Sequence, residues 1–126
     1  MNIRDLIRII DGTLITQASN LNREIKGGFG ADLMSDVLAS IQPEAVLLTG
    51  LCNPQVVRTA QMADVSAIVL VRGKRPPTET VRLATEENVP LISTPYGMFE
   101  VCGRLHDAGL ASLELPMENG SCECGE

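Results

Sequence analysis

The stretch AVLLTGLCNPQVVRTAQMADVSAIVLVRGKRPP, residues 45–77, decides the fold. Its two apolar runs, Ala45 to Gly50 and Ser66 to Val71, lack polar alternation, the pattern of strands buried on both faces. Each run gives way to a loop and a proline, after which apolar residues return at helical spacing. Pro54 stands where a helix can start, Asn53 is a candidate cap, and Val56, Val57, Ala60 and Ala63 form the buried stripe. After the second run a basic loop leads to Thr78, another candidate cap, and to a helix that Asn88 can end in the left-handed conformation. The two units echo each other locally, Val57-Arg58-Thr59-Ala60 against Val81-Arg82-Leu83-Ala84. Strand and helix in regular alternation predict a parallel sheet.

The same plan extends in both directions. Toward the C-terminus, Val89 to Ile92 reads as a strand, Thr94 as a cap with Pro95 at the first helical position, and Met98, Val101, Cys102 and Leu105 as an inward helical stripe before Gly109. Residues 110–116 can add a last short strand. Toward the N-terminus, Met34, Val37, Leu38 and Ile41 make a stripe that Pro43 stops, and residues 13–16 and 22–29 are candidate strands. Glycines at 27, 28 and 30 mark the second of these as an edge, a bulge or a close backbone approach. Ile3, Leu6, Ile7 and Ile10 open the chain as a helix, with Asn2 and Asp5 spaced for a capping box and Asp11-Gly12 as its end. The prediction is an α/β fold: a single three-layer-type domain, residues 1–116, with a mainly parallel sheet built from consecutive βα units. Residues 117–126 read as a flexible, acidic, cysteine-containing tail with nothing to pack.

Composition bounds the function. A chain of 126 residues can bury one core without staples, and at 2% aromatic residues that core must be aliphatic. The net charge of -6 argues against nucleic acid or a membrane surface as partner, both of which need a cationic footprint. No apolar run approaches the roughly 20 residues that span a bilayer, and MNIRDLIRIIDG reads as a capped helix, so a cytoplasmic protein with reduced cysteines is expected.

In a parallel sheet the loops leaving the carboxyl ends of the strands gather on one edge, and the following helices aim free N–H groups there. Three such loops are Gly50 to Asn53, Arg72 to Arg75 and Ser93 to Gly97. From them come the candidate ligand-binding residues: Gly50 and Gly73 for close backbone approach, Arg72 and Lys74 for charge, Thr94 and Tyr96 as hydrogen-bond donors, and Cys52 and Asn53 at a helix start. A basic loop on an acidic protein suits a small anion, nucleotide-like in class. Against this, cations in a solvated loop need no ligand, and neither the spacing GxxxxGK[ST] nor GxGxxG occurs here.

Beyond the residues themselves, the chain resembles the DRTGG domain family over roughly residues 13–108. The resemblance rests on Gly30-Ala31 with Met34 to Leu38, on Pro43 to Gly50, and above all on PPTETVRLATEENVPLISTPYGMFEV, residues 76–101. Where the family has Gly-Asp-Arg after the first buried strand this chain has Gly50-Leu51-Cys52, and where it has Thr-Gly-Gly after the second this chain has Val71-Arg72-Gly73. The family occurs as a regulatory module in HPr kinase/phosphorylase-like proteins, some phosphotransacetylases and certain pyrophosphatases with CBS domains. The resemblance implies a regulatory α/β domain that commonly dimerises and has no catalytic role of its own, and small stand-alone versions are associated with anaerobes and iron hydrogenase systems.

Catalytic candidates are few. Cys52 precedes a helix start, which can lower a thiol pKa, yet His106, the single histidine, belongs to the far end of the last helix. Cys102 reads as a core residue, and Glu86-Glu87 as solvated charge, so no acid–base dyad is present. Cys122-Glu123-Cys124 offers two thiols to a soft metal, two short of a closed site. The expected function is therefore a non-catalytic sensor, a homodimer that binds a small anion without metal or cofactor and signals to a protein partner. The alternative is an accessory protein whose CxC tail handles metal or redox chemistry.

Overall fold

The computed structural model describes residues 1–16 and 21–114. The chain runs α1 (Ile3–Ile9), β1 (Thr13–Leu14), β2 (Gly27–Gly30), α2 (Met34–Ser40), β3 (Ala45–Thr49), α3 (Pro54–Met62), β4 (Ala67–Leu70), α4 (Thr78–Glu86), β5 (Leu91–Ser93) and α5 (Met98–Asp107). The strands form one sheet in the order β1-β5-β4-β3-β2, with β2 to β5 parallel and β1 antiparallel at the edge. Successive parallel strands step in one direction, so right-handed crossovers put α2, α3 and α4 on the same face. The helices α1 and α5 cover the other. This is the expected three-layer α/β arrangement.

The two faces separate the core into two layers. Ile3, Leu6 and Ile10 of the first helical segment and Val101 and Leu105 of α5 pack on Val46, Leu48, Val69 and Ile92. Val37, Val56, Val57, Ala60 and Ala84 pack on Leu47, Ile68, Leu70 and Leu91. Every residue of β3 and β4 is buried, as unbroken apolar runs require.

Local chemistry explains most boundaries. Asn2 and Asp5 form the capping box of α1, and the N–H groups of Ile3 and Arg4 donate to the carbonyls of Arg23 and Leu21. Residues 21–25 thus serve α1, and the strand expected over 22–29 is confined to the glycine run that closes it. Close approach is the reason: a Cβ on Gly27 would lie 2.4 Å from Leu113 Cγ and 2.7 Å from the Ala111 carbonyl oxygen. The expected strand over 110–116 is present as bridges of Ser112 to Gly28 and of Glu114 to Ile41. The tail, residues 117–126, lies outside the described residues.

Four side chains depart from their expected places. Thr78 is the first residue of α4 and Pro77 occupies the cap position, because an extended proline already sets the entry geometry. Thr94 does not cap α5, which begins after Gly97. Leu38 is 47% exposed, since α2 covers only the margin of the sheet and buries Val37 alone. Cys102 is exposed, because α5 turns Val101 and Leu105 to the sheet and Cys102 away from it.

Candidate functional site

The parallel strands deliver their carboxyl ends to one edge. After β3 and β4 the chain turns to the α2–α4 face, and after β5 it turns to the opposite face through α5. A crevice opens where the connections diverge, the position at which open α/β sheets hold ligands. It contains a hollow of about 630 Å³ lined by Asp32, Gly50, Arg72, Lys74, Phe99 and Glu100 among others.

Of the residues singled out in the sequence, Gly50, Arg72 and Lys74 line this hollow, and Cys52, Asn53, Gly73, Thr94 and Tyr96 do not. The reasons are local. The Thr94 hydroxyl is buried and donates to the Ile10 carbonyl at 2.7 Å, which ties the last strand to the end of the first helix. The Tyr96 hydroxyl donates to Asp11 at 2.6 Å, and Arg104 stacks 4.1 Å from its ring centroid. That hydrogen bond to Asp11, with some burial, raises the Tyr96 pKa above the usual tyrosine value. Asn53 occupies the cap of α3 without a side-chain bond, and the Cys52 carbonyl accepts from the Thr80 hydroxyl.

The loop after β4 is held by its backbone. Arg72 and Gly73 both have φ of 66°, and their N–H groups donate to the carbonyls of Tyr96 and Thr94 at 2.7 and 2.8 Å. These donors are consumed within the fold, so the loop contributes side chains to the hollow. Gly50 is likewise engaged: its N–H donates to Asp32 Oδ1 at 2.7 Å, and the Thr49 hydroxyl donates to the same oxygen at 2.9 Å.

The charges divide unequally between paired and unpaired groups. Asp32 is held by Thr49 and Gly50, and Glu100 bonds Arg104 at 2.8 Å. Among the described residues, the side chains of Arg72 and Lys74 are exposed and make no hydrogen bond or ion pair. The two unpaired cations outweigh the one carboxylate without a cation partner, Asp32, and the first-turn N–H groups of α5 add to the positive side.

Asp32 and Phe99 line the hollow but are not among the residues expected there. Asp32 belongs to a fourth loop on the same edge, the one leaving β2, and recognising it requires knowing that the glycine run is a parallel strand. Phe99 is 92% exposed at the start of α5. Its signal was available, since a helical stripe of Met98, Val101, Cys102 and Leu105 leaves position 99 outside.

The described residues contain no cluster of three or more metal-ligating side chains. No described helix is long and apolar enough to cross a membrane.

Comparison with known proteins agrees with this architecture. No curated protein matches the chain. Among solved structures, the chain resembles the CBS and DRTGG domains of the regulatory region of Clostridium perfringens pyrophosphatase, complexed with its activator diadenosine tetraphosphate. The TM-score is 0.65 at 12% identity, and the match covers 96% of this chain. It spans 53% of that chain, about half its length, and at this identity it speaks for the fold alone. The DRTGG domain family itself matches residues 5–108, from the first helix to the end of α5, so the chain belongs to the DRTGG domain family.

Proposed function

We propose that the protein is a non-catalytic regulatory domain that senses a small, nucleotide-like anion in the hollow at the carboxyl edge of its sheet. The observation that carries this reading is the unpaired charge of two cations, Arg72 and Lys74, in a hollow where Glu100 is ion-paired to Arg104 and Asp32 is the single carboxylate without a cation partner among the described residues. Phosphate suits the two cations and the N-terminus of α5. The second oxygen of Asp32 is placed for ligand hydroxyls, and the exposed ring of Phe99 offers a face for a base to stack on. The similar solved regulatory region is complexed with a nucleotide activator, which supports the same ligand class. Residues 1–116 act as the domain in a cytoplasmic homodimer, and ligand occupancy is passed to a protein partner. Leu33 and Leu38 of the α2 region, both exposed, supply apolar surface for such contacts.

The test is thermal unfolding against inorganic phosphate, mononucleotides and dinucleoside polyphosphates, read by an extrinsic dye because the chain has no tryptophan. A ligand specific to the folded state stabilises it by about 2.7 kcal/mol at a hundredfold excess over Kd. The Arg72→Ala/Lys74→Ala variant should lose that response while keeping its unliganded melting temperature. Unchanged affinity in the variant, or no response to any phosphate compound, refutes the site.

A further inference from the structure

The glycines of β2 leave a second hollow, of about 310 Å³, bounded by α5 and the segment Leu110 to Glu114. Gly28 and Gly30 pair with Val46 and Leu48, so they lie on the sheet face that α1 and α5 cover. Where β3 sets a valine and a leucine against those helices, β2 sets hydrogen atoms. A Cβ on Gly28 would meet Leu110 Cδ2 at 3.5 Å, an ordinary contact, so a side chain could stand where the space is open. Leu48, Met98, Leu105 and Leu110 make the walls apolar, and the polar groups of Cys102, His106, Ser112 and Glu114 join them. The lining holds one carboxylate, Glu114, and no lysine or arginine. Among the described residues, the side chains of Glu114 and His106 make no hydrogen bond or ion pair. The Ser112 hydroxyl accepts from the Glu114 N–H at 3.2 Å, which ties these two residues together.

We propose that this hollow binds a small amphipathic amine, with its apolar body against the leucines and Met98 and its ammonium head at Glu114. An apolar concavity of about 300 Å³ or more with a few convergent polar groups is the form that small-molecule sites take. At about 30 Å³ per water the space equals roughly ten waters, which suits a body of roughly six to ten heavy atoms. Charge decides the head. A carboxylate or phosphate would meet Glu114 with no cation in the lining to offset it, whereas an ammonium gains a charge-assisted hydrogen bond. A neutral imidazole at His106 and the hydroxyl of Ser112 offer further acceptors to the same head. Burial pushes the Cys102 thiol up, which keeps that wall uncharged. The site goes beyond the anion-sensing reading and stands or falls separately from it, since the two hollows select ligands of opposite charge.

The experiment is titration of the reduced, isotopically labelled chain with hexylamine, hexanol and hexanoate, three probes of one length and different charge, followed by backbone amide chemical shifts. Hexylamine should shift the amides of Gly28, Gly30, Cys102 and Leu110 saturably. Hexanoate should bind there at least about tenfold more weakly, the scale of a hydrogen bond to a charged group, with hexanol between the two. Each methylene added to the amine should tighten binding about fourfold until the hollow is full. Glu114→Gln should remove the preference for the amine and keep the binding of hexanol. Gly28→Val, which places methyl groups in the hollow, should abolish binding of all three, and Arg72→Ala/Lys74→Ala should leave it unchanged. Glu114 is exposed, so its variant should melt like the parent and decides the matter even if Gly28→Val does not fold. Three results overturn the proposal: no saturable shift at these amides, equal affinity for amine and carboxylate, or shifts at these amides that follow protein concentration without any probe. The last would mean that a second copy of the chain occupies the hollow.

Discussion

Thr94 and Arg72 show how single residues serve the site from outside it or at a cost to the backbone. Thr94 is 1% exposed and its hydroxyl satisfies the Ile10 carbonyl. Thr94→Val should cost about 1–3 kcal/mol in chemical denaturation, because a buried acceptor loses its partner; a loss within error would show that the carbonyl finds another donor. Arg72 keeps a left-handed conformation that non-glycine residues adopt at a penalty, and such positions cluster at functional sites. Arg72→Gly should therefore be more stable than Arg72→Ala by about 1 kcal/mol, and equal stability would mean that the loop relaxes. The sequence marked both residues, but as ligand contacts. For Thr94 the fold supplies an intramolecular acceptor 84 positions away in the chain, which no local pattern encodes.

At the scale of elements, β2 and α5 show what neighbours distant in sequence demand of a strand and a helix. The strand is made almost wholly of glycine because Ala111 to Leu113 run against its outer side, with Gly28 donating to Ala111 and Leu113 donating to Gly28. Gly27→Ala should displace that segment and cost about 1–3 kcal/mol, the range for overpacking. Gly103, in the interior of α5, has open space around its would-be Cβ. Gly103→Ala should raise stability by roughly 0.5–1 kcal/mol through helix propensity. The pair gives opposite shifts in melting temperature from the same chemical change, and shifts of one sign would contradict the packing described for β2. Helical stripes and buried runs made these elements legible, but α2 and α5 were read as more buried than they are. A stripe specifies a face, and the width of what covers that face is set by neighbours that are distant in sequence.

For the molecule as a whole, α1 and α5 are joined across one face by Tyr96, Asp11 and Arg104. The phenol is the only tyrosine and there is no tryptophan, so phenolate absorbance titrates this contact directly. Its pKa in the folded state lies above 10.0, chiefly because Asp11 accepts its hydrogen bond. The sign follows: a raised pKa means that the contact contributes in full below the unfolded value and is lost as pH rises through the folded one. Asp11→Asn should move the titration back toward the ordinary tyrosine value, and an unmoved midpoint would assign the shift to another cause. The sequence by itself determined the βα alternation, the parallel sheet and the basic loop, because periodicity, caps and turn residues act over one or two turns of chain. Tertiary structure alone decided that Arg72 and Lys74 share a hollow with Asp32 and Phe99, that Thr94 and Tyr96 bond to the end of the first helical segment, and that Cys102 is exposed. Those outcomes depend on strand order and on which face each crossover takes, and neither leaves a trace in local spacing.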